Sequence, residues 1–324
     1  MSLSRHMQQT IPVADLNDFV SNDPMRRGRF VATVGEALKD IGFFALENHR
    51  VDHDLIDRAY GLTQKFFELS EQEKMAYENP DWHGQRGFIS FGREHAKDSS
   101  APDLKEFWHV GREEWKRPAG AGGARLYNVW PKEILEFKPV MLDLYENMER
   151  CAVSVLEACA DYLGEPKDRF TSISEDGDTI LRVIHYPPVP MESDPASIRA
   201  AAHEDINLIT LLVEATTGGL ELLQRDGRWR PIHALRGQII VDAGDMIQNM
   251  TNGILRSTTH RVVNPDNGRE RRFSMPFFVH PRSEASLNPL SGCIERQGGD
   301  KNFPDLTAGE YLAQRLREIG LIKS

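Results

Sequence analysis

Apolar positions in the first half of the chain recur every three or four residues; in the second half they fall in short runs broken by turns. Over 27–41, Phe30, Val31, Val34, Leu38 and Ile41 share one helical face, which predicts an amphipathic helix. Residues 11–15 read as a short strand before it, and Gly-Phe-Phe-Ala-Leu (42–46) as a strand after it. A second helix is predicted over 54–69, with Leu55, Ala59, Phe66 and Phe67 on or near one face. Ser70-Glu71-Gln72-Glu73 is a capping box for a short third helix. Residues 79–123 are rich in Gly, Pro, His and Trp without a clear period. They read as a surface connector or as a loop that shapes a substrate mouth.

The longest helix is predicted over 138–163, where Met141, Leu144, Met148, Cys151, Val155 and Cys159 form a core stripe. Pro139 stands near its start and Gly164 just past its end, as helix ends prefer. Strands are then predicted over 179–186, 208–214, 220–224, 229–232, 239–241, 257–263 and 273–279. Gly218-Gly219, Asp226-Gly227 and Asp266-Asn267-Gly268 mark turns between several of them. The fold class this predicts is α+β with a mainly β core, a double-sheet jelly roll flanked by α-helices. Thr307-Ala308-Gly309-Glu310 caps a final helix that ends before Gly320. No internal repeat, linker or low-complexity segment divides the chain, which favours one core with helices packed around it.

Charge removes some function classes. A net charge of −10 on 324 residues argues against nucleic-acid or anionic-membrane binding, both of which need a basic face. Cys151, Cys159 and Cys293 are odd in number, and two lie in the helical stripe, which suits reduced thiols. The first ten residues carry no apolar h-region and no run approaches membrane-spanning length, so a cytoplasmic location is expected.

The candidate chemistry lies in Ala-Ala-Ala-His-Glu-Asp-Ile-Asn (200–207), read with 254–263 and 271–278. His203 and Asp205 are two apart, so on an extended stretch they face one side. His260 follows in a second strand-like segment. Two histidines and one carboxylate on one side of a metal are the usual protein set for non-haem Fe(II). A His-x-Asp pair alone arises by chance, and so does Arg-x-Ser on a solvated strand face. Arg272 and Ser274, again two apart, can nevertheless form a forked clamp for a carboxylate.

The segments HEDINLITLL, GDMIQNMTNGILRSTTHRVV and RRFSMPFF resemble the core of the isopenicillin-N-synthase-like family of 2-oxoglutarate/Fe(II)-dependent oxygenases. IPVADLNDF (11–19), IGFFALENHRVDHDLI (41–56), KFFELSEQEKMAY (65–77) and LKEFWHVG (104–111) resemble its N-terminal region in order, and LRVIHYPPVP (181–190) its Tyr-Pro-Pro segment. The resemblance runs from about residue 10 to 282. It implies an N-terminal oxygenase region over 1–123, the long helix within 124–175, a jelly-roll oxygenase core over 176–282 and a C-terminal tail and helix over 283–324.

It also implies Fe(II) on His203, Asp205 and His260, with 2-oxoglutarate clamped by Arg272, Ser274 and Tyr186. The charges of Fe(II), Asp205, 2-oxoglutarate and Arg272 then cancel, which avoids net buried charge. Phe278 is in phase with Arg272 and Ser274, so it is a candidate for the substrate pocket, together with Arg182; a core phenylalanine is the alternative for Phe278. The chain departs from the family at Ile184, where many relatives have Asn, and in a longer gap between His260 and Arg272. The implied reaction oxidises a small organic substrate with O₂, by hydroxylation, desaturation or cyclisation, and converts 2-oxoglutarate to succinate and CO₂. Two alternatives use the same residues: a non-haem Fe(II) oxidase without an oxo acid, and a non-catalytic small-molecule binding module. Oligomeric state is not legible.

Overall fold

The computed structural model describes residues 11–79, 82, 84–93, 102–116, 126–189, 193, 197–213, 215–233, 235–265 and 269–318. β1 (Val13–Asp15) and α1 (Leu16–Phe19) lead into α2 (Pro24–Asp40). α2 starts before the apolar spacing predicts, because Asp23 caps the Met25 N–H and Pro24 fills a first-turn position that needs no N–H. β2 (Phe43–Glu47) and α3 (His53–Phe67) follow, and the predicted capping box holds α4 (Glu71–Met75) through reciprocal Ser70 and Glu73 hydrogen bonds.

Within 79–123, expected to be irregular, stand two strands, β3 (Gly87–Ile89) and β4 (Glu106–Gly111), both buried throughout. α5 (Phe137–Leu163) buries the predicted stripe and ends on Gly164 at φ 74°, a left-handed cap suited to glycine. The three cysteines are free and buried, and burial pushes the thiols of Cys151 and Cys159 up to about 12.

After α6 (Thr171–Ser174) come β5 (Ile180–Tyr186), β6 (Ala200–His203), β7 (Ile209–Val213), β8 (Leu220–Leu223), β9 (Trp229–Pro231) and β10 (Ile239–Ala243). The chain continues through α7 (Asp245–Met250), β11 (His260–Val262), β12 (Arg272–Ser274), β13 (Pro276–Val279), α8 (Ser291–Arg296) and α9 (Ala308–Glu318). The predicted single strand over 273–279 is two: it breaks at Met275, and only β13 pairs with both β5 and β7. The predicted turn at Asp266-Asn267-Gly268 lies outside the described residues.

Two sheets form. The larger runs β1-β2-β10-β7-β13-β5-β4-β3 with β12 also on β5; the smaller runs β6-β11-β8-β9. One face of the large sheet buries Trp108, Leu181, Ile209, Val241 and Phe277 against α2, α3 and α5. Its other face meets the small sheet through Phe43, Phe107, Ile184, Leu212, Leu222 and Val262. Strand side chains alternate between these faces, so the even-numbered residues of β5, β7, β10, β12 and β13 line the space between the sheets. This is a jelly-roll core with helices packed on one side.

Candidate metal centre

His203 ends β6 and His260 begins β11, and the two are direct cross-strand partners. Their rings stand 4.4 Å apart. The extended geometry assumed for 203–205 stops at His203; Asp205 reaches the site from the following turn. That turn is anchored by the Asp245 N–H, at the start of α7, donating to the Asp205 carbonyl at 2.7 Å. Asp205 Oδ1 lies 3.8 Å from both His203 Nε2 and His260 Nε2. One ligand atom from each residue lies within 4.8 Å of the others, and no second such group occurs among the described residues.

The surroundings prepare these atoms for a cation. His203 Nδ1 stands 2.7 Å from the Ala201 carbonyl and His260 Nδ1 stands 3.1 Å from that of Thr258. A carbonyl can only accept, so each Nδ1 carries a proton, and Nε2 is the nitrogen each ring can offer to a metal. Burial and His260 lower the His203 pKa to about 4, so it is neutral at physiological pH. Burial works to raise Asp205, but His260, His203 and a hydrogen bond from the Thr210 hydroxyl outweigh it and leave the carboxyl below its ordinary range. Asn207 Nδ2 in turn donates to Thr210 Oγ1 at 2.9 Å. Phe43 packs edge-on against His260 with centroids 5.5 Å apart. Two imidazole lone pairs and an ionised carboxylate on one point suit Fe(II) by ligand type.

Arg272 sits on the same inter-sheet face and is 2% exposed. Its Nε donates to the Thr217 carbonyl at 3.2 Å and its Nη1 to Ser274 Oγ at 3.1 Å. Its guanidinium lies 4.9 Å from the Tyr186 ring centroid, its direct cross-strand partner. No carboxylate among the described residues is paired with it. Ile184, the departure from the family pattern, lies opposite Ser274 and is buried, so this wall is apolar.

Arg182 and Phe278 also fall on this face. Arg182 Nε donates to His109 Nε2 at 2.6 Å, and His109 Nδ1 meets the Gly84 carbonyl at 2.7 Å. The Arg182 guanidinium lies over the rings of Phe107 and Phe278, at 4.4 and 5.2 Å. Half-buried Phe278 faces the inter-sheet space, whereas its neighbour Phe277 is the core phenylalanine.

Two residues escaped the sequence reading. Arg199, 1% exposed, donates to the Glu270 carbonyl and lies 5.8 Å from the Tyr186 ring, adding a positive charge that the neutral count omitted. Asp242 shares a hydrogen bond with Asp205; burial and that neighbour hold it well above the ordinary carboxyl range. Its signal was a lone acid inside the apolar run Ile239-Ile240-Val241-Asp242-Ala243.

Comparison with known proteins agrees with this geometry. A family profile described as "non-haem dioxygenase in morphine synthesis N-terminal" matches residues 11–133, and one described as "2OG-Fe(II) oxygenase superfamily" matches 177–281. A "2-oxoglutarate-Fe(II) type oxidoreductase" of Aspergillus fumigatus is 30% identical over 95% of this chain and 93% of its own. A crystal structure of a 2OG-Fe(II) oxygenase family protein from Caulobacter crescentus superposes with TM-score 0.83 at 38% identity, covering 96% of this chain and all of that one. A full-length Neurospora crassa protein solved in complex with alpha-KG (2-oxoglutarate) gives TM-score 0.82 at 27% identity, covering 96% and 98%. No described helix is long and apolar enough to cross a membrane. The chain belongs to the 2OG-Fe(II) oxygenase superfamily and is a 2-oxoglutarate-dependent dioxygenase that uses Fe(II) to oxidise a small molecule.

Proposed function

We propose that His203, Asp205 and His260 hold Fe(II), that Arg272 and Ser274 with Tyr186 clamp the distal carboxylate of 2-oxoglutarate, and that Arg182 and Phe278 position the substrate. Bound iron supplies O₂ activation coupled to decarboxylation of 2-oxoglutarate. The chain's own residues bind, orient and exclude water. The observation that carries this reading is Arg272: a buried guanidinium facing the inter-sheet space with no anionic partner among the described residues. An arginine remains charged when buried, so an anion is required there. In this reading all metal and co-substrate contacts come from within 176–282, and 79–123 contributes Phe107 and His109 to the substrate wall.

The test compares Arg272→Lys and Arg272→Met. Lysine keeps the charge but not the planar fork; methionine removes both. Losing one partner of a buried pair costs about 3–5 kcal/mol, or roughly two to four orders of magnitude in affinity. Affinity for 2-oxoglutarate should fall in the order wild type, Lys, Met, while Fe(II) affinity holds. Ser274→Ala should cost less, about 0.5–1.5 kcal/mol. Pyruvate lacks the distal carboxylate, so its weak binding should ignore Arg272. Wild-type affinity for 2-oxoglutarate in Arg272→Met would refute the clamp.

A further inference from the structure

Another buried arginine stands at the opposite end of the same face from Arg272. Arg86 is 4% exposed and, among the described residues, makes one hydrogen bond, from Nη1 to the Gln85 carbonyl at 2.6 Å. Its Nε is buried without a partner, and no carboxylate among the described residues is paired with it. Asp178 acts on it electrostatically but shares no hydrogen bond with it. A guanidinium cannot shed its proton to relieve burial, so its isolation opposes folding unless an incoming anion joins it.

Its position is set by a glycine. A Cβ at Gly111 would collide with the Arg86 guanidinium, which therefore rests on bare backbone. In β4, Gly111 shares its face with His109 and Phe107, the residues that meet Arg182. The strand registers then give one row: Gly111 opposite Ile180, Ile180 opposite Phe278, and Phe278 opposite Thr210, which bonds Asp205. That row spans three strand spacings, roughly 14 Å, from the arginine to the triad's anchor. Along it, Phe278 and Arg182 are half-buried, whereas their strand neighbours Phe277, Val279, Leu181 and Val183 are buried.

Charge selects the ligand. Arg86 and Arg182 put two guanidinium groups on this face, and Asp178 already acts on Arg86. His109 accepts from Arg182 and so is neutral, and burial lowers His280 on the same face. Asp178 repels an incoming anion, and repels a dianionic phosphate more than a singly charged carboxylate. On the reading that this is the substrate face, we propose that the substrate carries a carboxylate, bound by Arg86 with Arg182 at the end of the row remote from the metal ligands.

The probes are matched pairs of carboxylic acids and their primary amides, aliphatic and arylalkyl, with chains of roughly four to ten carbons to span the row. They are titrated against protein loaded with Mn(II) and 2-oxoglutarate, followed by calorimetry and thermal shift. At least one acid should bind more tightly than its amide in wild type. Arg86→Met should remove that preference, weakening the acid by about 10- to 100-fold and leaving the amide and 2-oxoglutarate unchanged. Its melting temperature should equal or exceed wild type, because an unpaired buried charge is gone; a structural arginine would lower it. Gly111→Ala keeps the charge but displaces the guanidinium, and should reproduce the lost preference. No acid preference in wild type, preference only for phosphate esters, or acid binding intact in Arg86→Met would overturn the proposal. Loss of 2-oxoglutarate binding in wild type would instead sink the co-substrate reading.

Discussion

Thr210 and Asp242 approach Asp205 from the large sheet, so two side chains act on the carboxylate proposed to bind the metal. The Thr210 hydroxyl donates to the carboxylate, favouring its charged form. Thr210→Val keeps the shape and removes the donor. Supporting residues of this kind typically contribute 10–100-fold to metal affinity. We expect a loss of about tenfold in anaerobic Fe(II) titration, against complete loss in Asp205→Ala. Unchanged affinity in Thr210→Val would show that the hydroxyl has no part in presenting the ligand. Burial and Asp205 raise the Asp242 carboxyl on folding, so the folded chain holds that proton more tightly than the unfolded one. Its folded value is raised, so its stabilising contribution is greatest at low pH and is lost as pH rises past its unfolded value. Metal-free Asp242→Asn should therefore be more stable than wild type at pH 7 by urea unfolding; lower stability would contradict a carboxyl raised by burial.

Among the elements, α2 and α5 were legible from apolar spacing, and α4 and α9 from capping boxes, because those signals are local. β4 was not. It is buried on both faces, so it lacks the alternation that marks a half-exposed strand. Its flanking charges also mislead: Lys105 is buried beside Asp103 at 2.8 Å, and Glu106 is bridged to Lys74 and His185, each at 2.7 Å. Lys74 and His185 are distant from Glu106 in sequence, so its burial cannot be read from its neighbours. Likewise the triad residues were legible, but the route of Asp205 through a turn was not, since β6 ends under tertiary control. Packing of α2 on α5 offers an element-scale test. A Cβ at Gly35 would collide with the Tyr162 ring, whose hydroxyl bonds Glu36 at 2.6 Å. Alanine gains about 1 kcal/mol of helix propensity over glycine, whereas overpacking costs about 1–3 kcal/mol. Gly35→Ala should therefore lose about 1 kcal/mol net. A gain in urea-unfolding stability would mean the interface yields freely.

For the whole molecule, acid should be destabilising before its carboxylates titrate. His49 is buried, and burial followed by His53 lowers its pKa to about 4. Its Nδ1 accepts the Val51 N–H at 3.1 Å, so a proton there breaks that bond. The unfolded state binds this proton near pH 6.5 and the folded state only near pH 4, so stability falls as pH drops through that window. The slope is about 1.4 kcal/mol per pH unit at most, or up to roughly 3 kcal/mol across it. His49→Gln should flatten the decline; an unchanged profile would place the sensitivity elsewhere.

The central claim is that one site holds Fe(II) by His203, Asp205 and His260 and chelates 2-oxoglutarate beside it with Arg272. It is tested most directly by absorbance under anaerobic conditions, adding 2-oxoglutarate to the Fe(II)-loaded protein. The account predicts a visible metal-to-ligand charge-transfer band in wild type that is absent in His203→Ala and Asp205→Ala. In Arg272→Met the band should require far higher 2-oxoglutarate. A band of wild-type strength in Asp205→Ala, or none in wild type carrying full iron, would contradict it.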